Sequence, residues 1–136
     1  MNYLLDTHVL LWSFFDTGKL SKKSKSVLLD ESNDIYYSPI SLWEISIKYG
    51  LKKLSLNGGQ PEDFFKEVAD SFYMCKEIIN DDLVTSYKLP IYQGAGGTKD
   101  PFDRLLIWQA IRSDFILISS DRCLESYKNE GLKVIF

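Results

Sequence analysis

Histidine occurs once in the 136 residues and cysteine twice. His8 has no second histidine at ligand spacing, and Cys75 and Cys123 are far apart in no metal-binding pattern. This argues against a zinc site and against a disulfide scaffold. The two cysteines read as ordinary buried thiols of a reducing compartment, and His8 as a packed or capping residue. No apolar run approaches the roughly 18 residues that suggest a membrane span, and no leader-like segment precedes the first strand. The chain is therefore expected to be a complete cytoplasmic protein. Positive charge is also scarce: 16 Lys and Arg stand against 19 Asp and Glu, a net of −3. Such a chain does not hold nucleic acid by bulk charge, so an anionic substrate needs a local basic patch or bound cations. No internal repeat is present, and no side chain reads as a covalent nucleophile beside its base.

What the chain has is apolar mass. Hydrophobic residues make up 45% and aromatics 14%, which excludes disorder. The length suits one compact domain over residues 1–136 with a substantial core. Strand and helix signals alternate along it. Tyr3-Leu4-Leu5 reads as a strand ending at Asp6, followed by a helix to Phe15 and a second, capped by Ser21, to about Glu31. Ile35-Tyr36-Tyr37 is a strand, and Ser38-Pro39 opens a helix that stops at Gly50. Pro61 opens a helix carrying Phe64, Phe65, Val68 and Phe72. Lys76–Ile79 reads as a strand and Asp81–Lys88 as a short helix, before a glycine-rich, flexible loop from Gln93 to Lys99. Asp100-Pro101 starts a further helix. Phe115–Ser119 is a buried strand, Asp121-Arg122 opens a short helix, and Leu132–Phe136 is a last strand. This alternation predicts an α/β fold whose central, mainly parallel sheet of about five strands is flanked by helices.

In such sheets ligands bind beyond the carboxyl ends of the strands. Asp6 follows the first strand directly, and Asp121 follows Ser119 by two residues. Glu44 lies in the second turn of the Ser38 helix, and Asp103 in the first turn of the Asp100 helix. Four carboxylates from four segments are thus predicted on one rim. Asp103 also shares a helical face with Leu106, Ile107 and Ala110, the stripe a helix normally buries. Each acid has a simpler reading. Asp103 would be the N3 partner of a capping box begun by Asp100; Asp6 and Asp121 would be helix caps; Glu44 would pair with Lys48 across one helical turn. Those readings do not explain why all four share an edge. Clustered carboxylates repel unless a divalent cation joins them, and an all-oxygen set favours Mg²⁺ or Mn²⁺. Setting the four aside moves the net charge from −3 to +1. Lys48, Lys52, Lys53, Lys99, Arg104 and Arg122 lie in segments near the rim and are candidates for phosphate contacts.

Four stretches together, Leu4-Leu5-Asp6-Thr7-His8, Ser41 to Lys48, Asp100 to Leu106 and Ser119-Ser120-Asp121, resemble the PIN-domain ribonucleases. Within these the chain is most similar to the VapC-like toxins of bacterial toxin–antitoxin pairs, over nearly its full length. The resemblance implies a PIN-like (Rossmann-like) fold and a Mg²⁺- or Mn²⁺-dependent endoribonuclease. It implies metal-binding acids at Asp6, Glu44, Asp103 and Asp121, with supporting hydroxyls at Thr7 and Ser119. It also implies a homodimer and a small antitoxin partner. The chain departs from the family in having Thr98 where many relatives carry His, and Ser119 where Thr is usual. Two other functions stay open at this point: a catalytically silent PIN-like module that binds protein or RNA, and a phosphatase acting through a phospho-aspartate at Asp6. The second ordinarily wants another Asp two residues on, where this chain has His8.

Overall fold

The computed structural model describes residues 1–92 and 96–136. Gln93, Gly94 and Ala95, part of the predicted flexible loop, lie outside the described residues. The chain runs β1 (Asn2–Leu5), α1 (Thr7–Phe15), α2 (Lys22–Leu29), β2 (Asp34–Tyr37), α3 (Pro39–Gly50), α4 (Pro61–Ala69), β3 (Met74–Cys75), α5 (Asn80–Thr85), α6 (Pro101–Ser113), β4 (Ile116–Ile118) and β5 (Lys133–Ile135). Short 3₁₀ helices cover Thr17–Lys19, Ser86–Lys88 and Arg122–Glu130.

The five strands form one parallel sheet in the order β3-β2-β1-β4-β5. β1 sits at its centre because both faces of the strand are apolar. Strand side chains alternate between faces, so Tyr3 and Leu5 pack with Val9, Leu10, Ile45, Phe64 and Val68 on one side. Leu4 packs with Leu106, Ile107, Ala110 and Leu117 on the other. Two helical layers thus bury the sheet, as parallel sheets require. Leu4 and Leu5 are both 0% exposed. Truncating either to Ala costs about 2–5 kcal/mol by the usual cavity penalty.

Local caps set where the helices start. Asp6, Ser21, Ser38 and Asp100 each accept backbone N–H groups at the openings of α1, α2, α3 and α6, and Pro occupies the first turn of α3 and α6. Every helix that follows a strand therefore begins at the sheet's carboxyl edge.

Several local expectations are corrected. The strand predicted at Lys76–Ile79 is displaced to Met74–Cys75. Lys76 N still donates to Tyr37 O at 2.8 Å, but the carbonyls of Lys76 and Glu77 then accept from the Gln109 side chain at 2.9 and 3.2 Å. That amide takes the groups a strand partner would use. α4 ends before Phe72, which is fully exposed, because Ser71 Oγ turns the chain by donating to Val68 O and accepting from Tyr73 N. α2 likewise ends at Leu29, where Asp30 accepts from both the backbone and the hydroxyl of Ser32. Cys75 and Cys123 are exposed rather than buried, one on the edge strand and the other on the outside of a 3₁₀ helix.

Candidate active site

Asp6 is the hinge between β1 and α1. Its N–H continues the ladder to Ile118 O at 3.0 Å, and its Oδ1 accepts from Val9 N at 2.8 Å. The carboxylate is buried. Burial pushes its pKa up, hydrogen bonds from Ser119 and Val9 hold it down, and the negative charge of Glu44 adds to the push. Ser119 directly follows β4 and also accepts from Asp121 N at 3.0 Å, so one hydroxyl touches both terminal acids of the rim. Asp121 caps its 3₁₀ helix through Cys123 N at 2.9 Å.

Glu44, 2% exposed, faces inward from α3. Thr7 Oγ1 donates to its Oε1 at 2.6 Å and lies 3.0 Å from Ser41 Oγ. Its Oε2 is paired with the Lys48 ammonium. The predicted turn-spanning ion pair therefore exists, but inside the acidic rim and not on a solvated face. The hydrogen bond to Glu44 raises the Lys48 pKa against desolvation, and the charges of Glu44, Asp100 and Asp103 add to the rise. One ammonium answers three acids.

Among the described residues Asp103 has no such ion pair. Asp100 Oδ1 accepts from Phe102 N and Asp103 N at 2.8 and 3.2 Å, which is half of a capping box. The other half is not made by Asp103: Asp100 N donates to Thr98 Oγ1 at 3.1 Å. That same hydroxyl lies 3.4 Å from Asp103 Oδ2. The Asp103 carboxyl is thus released from capping and pushed up to about 7, first by desolvation and then by Asp100, Glu44, Asp6 and Asp121. This coupling places all five acids within one electrostatic neighbourhood.

Three contributors carry little sequence signal. Tyr127, 0% exposed, accepts from Thr98 N at 2.9 Å and donates to Thr98 O at 3.2 Å, fixing the residue that faces Asp103. Gly97 (φ +73°) lies against it, where an added Cβ would come within 2.9 Å of the Tyr127 hydroxyl. Ser41, one turn before Glu44, is legible as a same-face neighbour only once Glu44 is placed.

The basic candidates divide. Lys48 is inside the rim and Lys99 is exposed beside it. The Arg104 guanidinium is committed to the carbonyls of Leu89, Pro90 and Thr98 at 2.6, 3.0 and 3.4 Å, so its work is to hold a loop. Arg122 lies over the Phe136 ring at 4.6 Å. Lys52 and Lys53 line a separate hollow of about 740 Å³ with Tyr49, Leu54 and Gly59.

The donor set suits a hard divalent cation: every group is an oxygen, and their mutual repulsion is relieved by one. Among the described residues, no three of these side chains yet enclose a common point. Asp6 and Asp121 each spend one oxygen on a helix start and Glu44 is held by Lys48, so a cation would have to draw them in.

Known proteins are similar in fold. The chain superposes on VapBC2 from Rickettsia felis, solved bound to a promoter DNA fragment, with a TM-score of 0.67 and 20% identity, covering 99% of this chain and 98% of that one. For VapBC-1 from nontypeable Haemophilus influenzae the TM-score is 0.62 at 17% identity, with 99% and 97% covered. For FitAcB from Neisseria gonorrhoeae it is 0.65 at 18%, with 98% and 96% covered. At these identities the likeness shows the fold. No curated protein matches the sequence significantly. The family profile described as PIN domain matches residues 3–130, from the strand that precedes Asp6 to the helix that follows Asp121. With the profile and the parallel five-stranded sheet in agreement, the chain belongs to the PIN domain family.

Proposed function

We propose that the protein is a divalent-metal-dependent endoribonuclease, residues 1–136 forming one PIN domain that acts as the toxin of a toxin–antitoxin pair. The observation that carries this reading is Asp103: a carboxyl pushed up to about 7 by burial and four other acids, with no salt bridge of its own among the described residues. PIN domain membership supports nuclease chemistry, and the all-oxygen rim supports Mg²⁺ or Mn²⁺. Asp6, Glu44, Asp103 and Asp121 are the residues that would hold the ion. Bound there, it would supply Lewis acidity toward a phosphodiester and a lowered pKa for coordinated water.

The chain's own groups prepare that site. Thr7 and Lys48 hold the Glu44 carboxylate turned inward. Ser119 aligns Asp6 with Asp121. Asp100 opens α6 so that Asp103 faces the rim, and Thr98 keeps Asp103 from folding back as a cap. Lys99 and Arg122 flank the acids and are the candidates for substrate phosphates. Arg104 is withdrawn from that role by its carbonyl contacts.

A cognate antitoxin and a homodimer belong to the same reading, as does a cytoplasmic location. Their support is the VapBC and FitAcB assemblies among the structural neighbours, and exposed apolar side chains such as Trp43 and Phe65. Among the described residues no helix is long and apolar enough to cross a membrane. The decisive experiment incubates the purified protein with structured RNA in Mg²⁺, in Mn²⁺ and in EDTA. Internal cleavage that EDTA abolishes is expected. Intact RNA under all three conditions would leave a silent binding module.

A further inference from the structure

Beside the acidic rim lies a hollow of opposite chemistry. It is about 210 Å³ and is lined by Trp12, Lys19, Ser21, Ser24, Arg122 and Phe136, with Ser119 and Ser120 as the wall shared with the rim. No acid lines it. Two cations, two aromatic rings and several hydroxyls do, one residue away from carboxylates that repel anything anionic. The cations already stand over the rings: Lys19 Nζ is 5.9 Å from the Trp12 centroid, and the Arg122 guanidinium is 4.6 Å from that of Phe136. Among the described residues Lys19 is otherwise tied only to Asp16, 3.7 Å away and half exposed, a pairing of little strength.

Hydroxyls complete the wall: Ser24 is 2% exposed, and its Oγ lies 3.0 Å from Ser21 Oγ. A planar ring to stack and an anionic oxygen for two cations describe a nucleotide. The volume admits a base or a sugar–phosphate unit and not a folded segment.

We propose that this hollow is a subsite for the nucleotide flanking the scissile phosphate. Trp12 and Phe136 stack its base, while Lys19 and Arg122 hold the adjoining phosphate. The inference rests on the endoribonuclease reading for the word scissile, and on the hollow's own lining for the nucleotide. It answers how a chain of net charge −3 holds RNA at all: attraction is confined to a strip beside the rim.

The test uses the full-length protein and a labelled single-stranded RNA of mixed sequence in EDTA, so that no turnover intervenes. Binding is followed by anisotropy across a salt series. The Lys19→Gln/Arg122→Gln pair should flatten the dependence of log Kd on log salt by roughly 0.7 for each phosphate no longer neutralised. Trp12→Leu should weaken binding by roughly fivefold or more, the scale of removing one base stack. Because Trp12 also packs in the core, Phe136→Leu provides the second stacking variant. Mg²⁺ uptake by calorimetry should be the same in all of them. Unchanged affinity and salt slope in the charge pair, with cleavage intact in the wild type, overturns the subsite alone. Unchanged RNA binding together with failure to bind a protein partner assigns the hollow to that partner and also overturns it. Abolished RNA binding in the variants of a wild type that never cleaves keeps the nucleotide site and removes the nuclease reading.

Discussion

Glu44 and Asp103 are carboxylates on two helices that open at the same edge of the sheet, and the fold treats them in opposite ways. Glu44 is the more deeply buried, yet a hydroxyl and an ammonium meet its two oxygens. Asp103 is only partly buried, yet it meets a single distant hydroxyl and four like charges. Depth of burial is therefore not what leaves a charge unsatisfied here. The α3 side of the rim is finished by the chain itself, whereas the α6 side is left for something else to complete.

That contrast is broken most severely by Asp103→Asn. Cleavage of structured RNA should fall by about 10³-fold, the scale of removing one preorganised electrostatic contributor. Stability in EDTA should nonetheless rise, by only about 1 kcal/mol, since Asp103 is partly exposed and solvent screens its repulsion. A variant that melts earlier and still cuts would return Asp103 to a capping role.

Lys48→Met tests the finished side. It keeps the stem and removes the charge that answers Glu44, so the protein should lose about 2 kcal/mol in EDTA, below the full cost of stripping a buried pair because Lys48 is partly exposed. Mg²⁺ should restore part of that loss in thermal melts. Equal destabilisation with and without Mg²⁺ would mean that Lys48 only braces α3 and does not share the acids' charge balance.

The smallest effect sharpens the comparison through pH. Asp103 titrates at about 7 in the folded chain against an ordinary 3.8. A raised carboxyl favours folding fully below the unfolded value and loses that contribution as pH rises through the folded one. In EDTA, melting should therefore fall by about 3 °C between pH 6 and pH 8. The slope should shrink in Asp103→Asn to whatever the raised Asp6 contributes, and flatten in Mg²⁺. A slope unchanged in the variant would assign it to another group.

Where the chain signals locally, it was legible. Leu4-Leu5-Asp6 and Asp100-Pro101 carry their own turn and cap chemistry, and the strands built from Tyr3, Ile35 and Leu117 stand where their apolar runs put them. What escaped was decided by partners distant in sequence. Lys76 and Glu77 look strand-like until Gln109 claims their carbonyls. Arg104 looks free until Leu89 and Pro90 claim it. Glu44 offered an ion pair or a rim position as alternatives, and the structure makes both with one side chain. Tyr127 is invisible as a site-shaping residue because nothing near it in sequence hints that its hydroxyl reaches Thr98.

The pairing of β1 with β4 sets a schedule as well as a shape. Tyr3 and Leu5 lie beside Ile116 and Ile118, so Asp6 is made well before its neighbours across the sheet. Domains fold as their residues leave the ribosome, and pairing of such distant strands is slow. A partly synthesised chain would carry Asp6 and Glu44 without Ser119 or Asp121. The acidic rim is thus completed only after β4 and the residues that follow it have been made.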